Sequence, residues 1–206
     1  MDTVVYIVRH VQAEGNLYRI FHGHTDGDIT DLGKIQCEKL KRRFESVNLS
    51  AVLSSDLTRA RKTAEAVKGD KDISFETTDL LREIHAGIWE GQNFEGLGDI
   101  YPEEYRSFQR GERDVRFGGG ETIGEVTERM RSAVDSFVSL HKGEEIAVVS
   151  HGCAIRSLLS DYAKEVVIWG TNASVSKVIY PENKEPYIEY MWDDTHLEDA
   201  RSVKLP

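Results

Sequence analysis

Val4 to Val8 is an unbroken apolar run rich in β-branched residues, and Ala51-Val52-Leu53 and Ile146-Ala147-Val148-Val149 resemble it. Short runs without polar alternation predict strands buried on both faces. Segments of helical period separate them. Behind Thr30, read as an N-cap, Leu32, Ile35, Leu40, Phe44 and Val47 fall near one face. Lys39, Lys41, Arg42 and Arg43 occupy the other, which reads as a solvated face. Asp56 to Val67 follows the second strand as a further helix. Thr122-Ile123-Gly124-Glu125 has the spacing of a capping box, and Ile123, Val126, Met130, Val134, Phe137 and Leu140 then recur every three or four residues. Gly152 to Lys164 reads as a helix directly after the Ile146 strand. Ser174 to Ile179 and Tyr187 to Met191 read as late strands around the turn Pro181-Glu182-Asn183. Strands alternating with helices predict a layered α/β fold with a mostly parallel sheet.

Residues 92–120 break the pattern with aromatics, charges and glycines, and are helical only around Pro102 to Arg110. They read as an excursion over the sheet edge, an insertion or cap within a single domain spanning 1–206. Repeats, low-complexity tracts and linker-like runs are absent from the sequence.

Composition narrows the classes. With 206 residues, 39% of them apolar and 30% charged, the chain is globular rather than disordered. Its 26 Lys+Arg against 36 Asp+Glu give a net charge of −10, which argues against nucleic acid as a partner. Cys37 and Cys153 form no disulfide framework and no zinc-type spacing. The sequence lacks both a basic-then-apolar leader and the roughly 20 apolar residues of a membrane span. A cytoplasmic protein with no membrane partner is expected.

The candidate chemistry lies just after the predicted strands. Arg9-His10 follows the first, Ser54-Ser55-Asp56 and Arg59 follow the second, and Ser150-His151-Gly152 follows the third. In an open α/β sheet, ligands bind outside the carboxyl ends of the strands, so these groups are expected to converge. Two guanidiniums and an imidazole make a cradle for a phosphoryl group. The helices starting near Asp56 and Gly152 are expected to aim their N-termini at the same anion. An imidazole held among cations is pushed toward its neutral form, which makes His10 a nucleophile at neutral pH. Glu83 is a candidate acid for the leaving oxygen, on the expectation that apolar neighbours surround it, and Glu90 ranks almost equally.

Two rival motifs are present. Cys37 and Arg43 have the spacing of cysteine-dependent phosphatases, but the residues between them lack glycine and lie within a helix. His22-Gly23-His24-Thr25-Asp26 resembles part of a two-metal hydrolase motif, without its next histidine. His24, His85, His141 and His196 read as surface or loop residues, and Gly118-Gly119-Gly120 as a flexible approach to the Thr122 cap.

Arg9-His10-Val11-Gln12-Ala13-Glu14-Gly15-Asn16 resembles the signature of the histidine phosphatase superfamily, the phosphoglycerate-mutase-like proteins, in which Arg-His-Gly-Glu-Thr is followed two residues later by Asn. The resemblance continues in order through Gly23, Asp26, Thr30, Gly33 and Gln36, through Ser54-Ser55-Asp56-Leu57-Thr58-Arg59-Ala60 and Thr63-Ala64, through Glu83 and Gly87-Ile88-Trp89-Glu90-Gly91, through Gly120-Glu121-Thr122, and through Ser150-His151-Gly152. It implies a three-layer α/β/α sandwich. It further implies that His10 is the nucleophile, that Arg9, Arg59 and His151 bind the phosphoryl oxygens with help from Asn16, and that Glu83 is the general acid and base. His151 counts with His10 and Glu83 as catalytic. His22, Gly23 and Asn172 are carried over as lining residues, with His22 standing where relatives often have Gln. No metal and no cofactor are implied. Val11, Gln12 and Ala13 depart from the signature.

The resulting expectation is a metal-independent phosphatase acting on a small phosphorylated metabolite through a phosphohistidine. Phosphoglycerate mutase-type transfer and a non-catalytic phospho-ligand binder are the alternatives. Arg110, Arg113 and Arg116 are read as solvated rather than as contacts for a substrate tail. A homodimer is compatible with the sequence, which does not select an oligomeric state.

Overall fold

In the computed structural model, which describes residues 1–202, the three apolar runs become the centre of one six-stranded sheet. The strands are β1 (Thr3–Arg9), β2 (Leu49–Ser55), β3 (Ser74–Thr78), β4 (Glu145–Ser150), β5 (Val175–Tyr180) and β6 (Tyr187–Asp193), in the spatial order β3-β2-β4-β1-β5-β6. β3, β2, β4 and β1 are parallel neighbours, while β5 runs antiparallel to β1 and β6 antiparallel to β5.

Both faces of the central strands are buried. Val5, Ile7, Ile146 and Val148 point to one side, and Val8, Val52, Ala147 and Val149 to the other. The first side packs on α6 (Ile123–Leu140) and α7 (Gly152–Ala163), through Met130, Val134, Ile155 and Leu158. The second packs on α2 (Asp31–Glu45) and α3 (Thr58–Lys68), through Leu40, Phe44, Ala60 and Val67. This is the expected three-layer sandwich. Among the described residues, no helix is long and apolar enough to cross a membrane.

The capping box forms as its spacing predicts. Glu125 N donates to Thr122 Oγ1 at 3.1 Å, and Thr122 N donates to Glu125 Oε2 at 2.8 Å. Thr122→Ala is expected to lower the unfolding free energy by ~1 kcal/mol, read from a urea curve, with activity unchanged. Thr30 likewise caps α2 by accepting from Gly33 N.

The helix period misplaces one face of α2. Ile35 is 51% exposed, and Gln36 is buried in its stead. Gln36 Oε1 accepts from Gln12 N at 2.7 Å, and its Nε2 donates to Ala200 O and Ser202 Oγ. A polar residue occupies the inner face because it holds the loop that follows β1.

Residues 92–120 contain α4 (Phe94–Ile100) and α5 (Pro102–Arg110). They cross the carboxyl ends of the strands rather than the sheet edge, since Phe94, Phe108 and Gln109 line the cleft there. Gly118 and Gly120 are pressed against the segment 85–87. A Cβ would stand 2.2 Å from Ala86 O at Gly118 and 1.9 Å from His85 O at Gly120. The glycines allow two backbones to touch, so this run is a packed joint and not a flexible approach. Arg110, Arg113 and Arg116 pair with Glu112, Asp161 and Glu125, and none of them lines the cleft.

Candidate active site

The cleft at the carboxyl ends of β1, β2 and β4 gathers Arg9, His10, Asn16, His22, Gly23, Arg59 and Glu83. His10 is 4% exposed, and its Nδ1 lies 2.6 Å from Val11 O. A carbonyl only accepts, so Nδ1 carries the proton and the lone pair belongs to Nε2. Burial, then Arg59 and Arg9, holds His10 well below the usual histidine range.

His151 is fully buried, with its ring centroid 5.1 Å from that of His10. Its Nε2 is 2.9 Å from Ser55 Oγ, and its Nδ1 has no partner. With the Ser55 hydroxyl donating to Nε2, Nδ1–H is the group left to meet an anion. Burial and the cations nearby also hold His151 well below the usual range.

The two guanidiniums are anchored by carbonyls. Arg9 Nη1 donates to Gly170 O, and its buried Nε is unpartnered. Arg59 Nη1 donates to Thr25 O and Nη2 to Gly23 O. Burial lowers both, Arg9 to about 10, so each remains charged at neutral pH. Asn16 Oδ1 accepts from Ala13 N and from Asn172 Nδ2, which leaves its own Nδ2 as the donor available to a ligand.

The Glu83 carboxylate is held by backbone amides. Its Oε1 accepts from Ile84 N and Ala154 N, and its Oε2 accepts from Cys153 N at 3.0 Å. The carboxylate thus caps α7 from outside. Arg82 pairs with Asp56 instead, and Arg129 donates to the carbonyls of Leu80, Arg82 and Glu83. Glu90 is a scaffold residue. It accepts from His24 N, Thr25 N, Thr25 Oγ1 and Ala86 N, and these donors outweigh burial and hold it below the usual carboxylate range.

Two further expectations need correction, and neither rival motif assembles a site. Asn172 is 3% exposed and lies behind His10, where its Nδ2 donates to His10 O and to Asn16 Oδ1. It positions the loop instead of lining the cleft. The amides of Cys153 and Ala154 in α7 are taken by Glu83, and Thr58 N at the start of α3 by Asp26, so those amides do not await a phosphate. The His22 to Asp26 motif disperses: His22 lines the cleft, His24 Nε2 bonds Glu83 O, and Asp26 caps α3. Cys37 is half-buried with its thiol pushed up to about 11, far from a nucleophilic thiolate.

Sequence reasoning did not assign Ser55, although it lay inside a quoted motif. Gly170 and the aromatic lining were also missed, since a backbone carbonyl and a core-type side chain carry no chemical signature.

Both buried imidazoles stay neutral in the fold at a pH where the unfolded chain, with histidine near 6.5, is protonated. Lowering the pH through that value adds protons to the unfolded state only, so stability falls. The slope approaches ~1.4 kcal/mol per pH unit for each ring. The urea midpoint is expected to drop from about pH 7 to about pH 5, and to drop less in the His10→Gln/His151→Gln double variant. A level midpoint would show that these rings are not held neutral.

The family model described as histidine phosphatase superfamily (branch 1) matches residues 5–193. Phosphoglycerate mutase-like protein 4 of Arabidopsis thaliana is 32% identical over 204 residues, covering 95% of this chain and 87% of that protein. Among solved structures, Bacillus stearothermophilus YhfR superposes with a TM-score of 0.86 at 28% identity, over 95% of this chain and 100% of that one. A phosphoserine phosphatase mutant from Entamoeba histolytica, in complex with phosphoserine, gives 0.83 at 25% identity, over 95% and 99%. The match runs from the first strand to the last and takes in Arg9, His10, Arg59, Glu83 and His151, so the chain belongs to the histidine phosphatase superfamily, branch 1.

Proposed function

We propose that this protein is a metal-independent phosphatase that hydrolyses small phosphomonoesters through a phosphohistidine. The observation that carries the reading is the Nε2 lone pair of His10, fixed by the Nδ1 bond to Val11 O, beside two buried guanidiniums and the unpartnered Nδ1 of His151. His10 Nε2 attacks phosphorus as the bond to the leaving oxygen breaks, and Glu83, which has taken a proton from the incoming monoester's monoanion, passes it to that oxygen. Water then attacks the phosphohistidine, Glu83 takes a proton from it, and the N–P bond breaks to release phosphate. The guanidiniums and His151 stabilise the charge on the equatorial oxygens in both steps.

The departures from the family signature fall mostly outside the cleft. Val11 is in the core, with its N–H donating to Thr63 Oγ1, and Gln12 Oε1 accepts from Thr30 Oγ1. Only Ala13 of the three lines the cleft. Scaffold changes of this kind leave the nucleophile and acid in place, which counts against a non-catalytic binder.

The likeness to a mutase-like protein supports a second reading, in which the phosphohistidine returns its phosphoryl group to an acceptor. One assay separates the two. Steady phosphate release from p-nitrophenyl phosphate, undiminished by EDTA, is the expected result. Loss with EDTA would overturn the metal-free reading, and transfer to 3-phosphoglycerate outpacing release to water would select the mutase.

A further inference from the structure

Beyond the phosphoryl pocket the cleft changes character. Four aromatic rings form a continuous wall: Phe94 and Phe21 have centroids 5.0 Å apart, Phe21 and Phe108 5.8 Å, and Phe108 and Trp169 5.5 Å. Ile20 extends the wall.

Cations for a second anionic group are missing from the lining. Among the described residues, Arg9 and Arg59 are its only lysine or arginine side chains, and both belong to the phosphoryl pocket. His22 is held below the usual histidine range by burial and by Arg59. Arg156 stacks on Trp169 at 4.5 Å but donates to Val167 O, Phe108 O and Gln109 O and does not line the cleft. It fixes the wall from behind.

The distal polar group is Gln109, whose Nε2 donates to Tyr105 OH. That leaves Oε1 and the second Nε2–H, one acceptor and one donor, a neutral pair that meets a hydroxyl in either role. A carboxylate brought against this wall would lose its water and gain at most a neutral amide donor there, with no cation beside it to offset its charge.

Resting on the phosphatase reading, we infer that the substrates are phosphate monoesters of uncharged alcohols with an apolar body of about the size of an aromatic ring, and not phosphorylated carboxylic acids. Trp169 and Phe94 select that body, and the lack of a further lysine or arginine in the lining, among the described residues, disfavours a second negative charge.

The test compares benzyl phosphate with 3-phosphoglycerate, both esters of alkyl alcohols, so that intrinsic leaving-group reactivity is matched. Benzyl phosphate is expected to have at least ~10-fold the higher kcat/KM. Trp169→Ala is expected to lower the ratio of kcat/KM for benzyl phosphate to that for glycerol 3-phosphate ~10-fold. Gln109→Lys is expected to raise 3-phosphoglycerate relative to benzyl phosphate. Because either variant could disturb the wall, the preference is also read without turnover, by calorimetric binding to the His10→Ala protein. There benzyl phosphate should bind ~10-fold tighter. Equal or tighter binding of 3-phosphoglycerate would overturn the inference while leaving the phosphatase reading intact. The expected binding order without His10-dependent hydrolysis of any ester would overturn the phosphatase reading and support the cleft preference.

Discussion

Replacing His10 by alanine lowers kcat for p-nitrophenyl phosphate by ~10⁴-fold or more, which is the largest effect expected of any substitution here. The size follows from what the remaining groups can do. Arg9, Arg59 and His151 would still bind a phosphoryl group, but of the other candidate nucleophiles His22, the second imidazole of the lining, has its ring packed against Gly15 and Gly27 and its Nδ1 buried. Glu83 Oε1 and Oε2 are engaged with backbone amides, and burial pushes the Cys153 thiol well above its usual range. Water attack on the bound ester would then be the surviving route. Two companion measurements make the result specific. Inorganic phosphate should still bind the variant, because the cradle is intact. Rapid acid-free quenching of the wild type should trap a phosphoprotein that is labile to acid and stable to base, and the variant should trap none. A loss of less than ~10-fold, or a phosphoprotein persisting in the variant, would remove His10 from the nucleophile's role.

The sequence exposes the fold wherever burial writes a period. The centres of β1, β2 and β4 are apolar on both faces, and their ends point straight to Arg9, His10 and His151. β3 was illegible because it is an edge strand, Ser74-Phe75-Glu76-Thr77-Thr78, with only partial burial at Phe75 and Thr78. α4 was hidden by Gly96 and Gly98 inside a short helix. At the site, charged side chains were readable and their partners were not. A guanidinium after a strand announces an anion, but that Gly23, Thr25 and Gly170 supply the carbonyls fixing it depends on how distant loops meet. Asn172 went wrong for the same reason. Its position beside the site was correct, while its orientation is set by the carbonyl of His10 and by Asn16, which no spacing encodes. The helix N-termini show a partial error: the general rule favours an anion there, and at Cys153, Ala154 and Thr58 the chain supplies its own in Glu83 and Asp26.

Glu83→Gln separates the two steps of the reaction. The glutamine retains shape but carries no transferable proton, so substrates whose leaving group needs protonation suffer most. For benzyl phosphate, an alkyl ester, kcat/KM is expected to fall ~10²- to 10³-fold, within the range of general acid catalysis. For p-nitrophenyl phosphate, whose phenolate leaves unaided, kcat/KM should stay within ~3-fold. Its kcat should nevertheless drop, because in the proposed mechanism kcat includes hydrolysis of the phosphohistidine, with Glu83 as the base. A burst of p-nitrophenol equal to the enzyme concentration would mark that change of limiting step. The variant also places an amide NH₂ near amides that Glu83 now caps, at Ile84, Cys153 and Ala154. One unsatisfied contact of that kind destabilises by ~1–3 kcal/mol, so some enzyme could be unfolded. The ratio of kcat/KM between the two substrates is immune to that loss, since both are read on the same preparation. Equal reductions for the two esters would mean that Glu83 only holds the α7 terminus and that the proton comes from elsewhere.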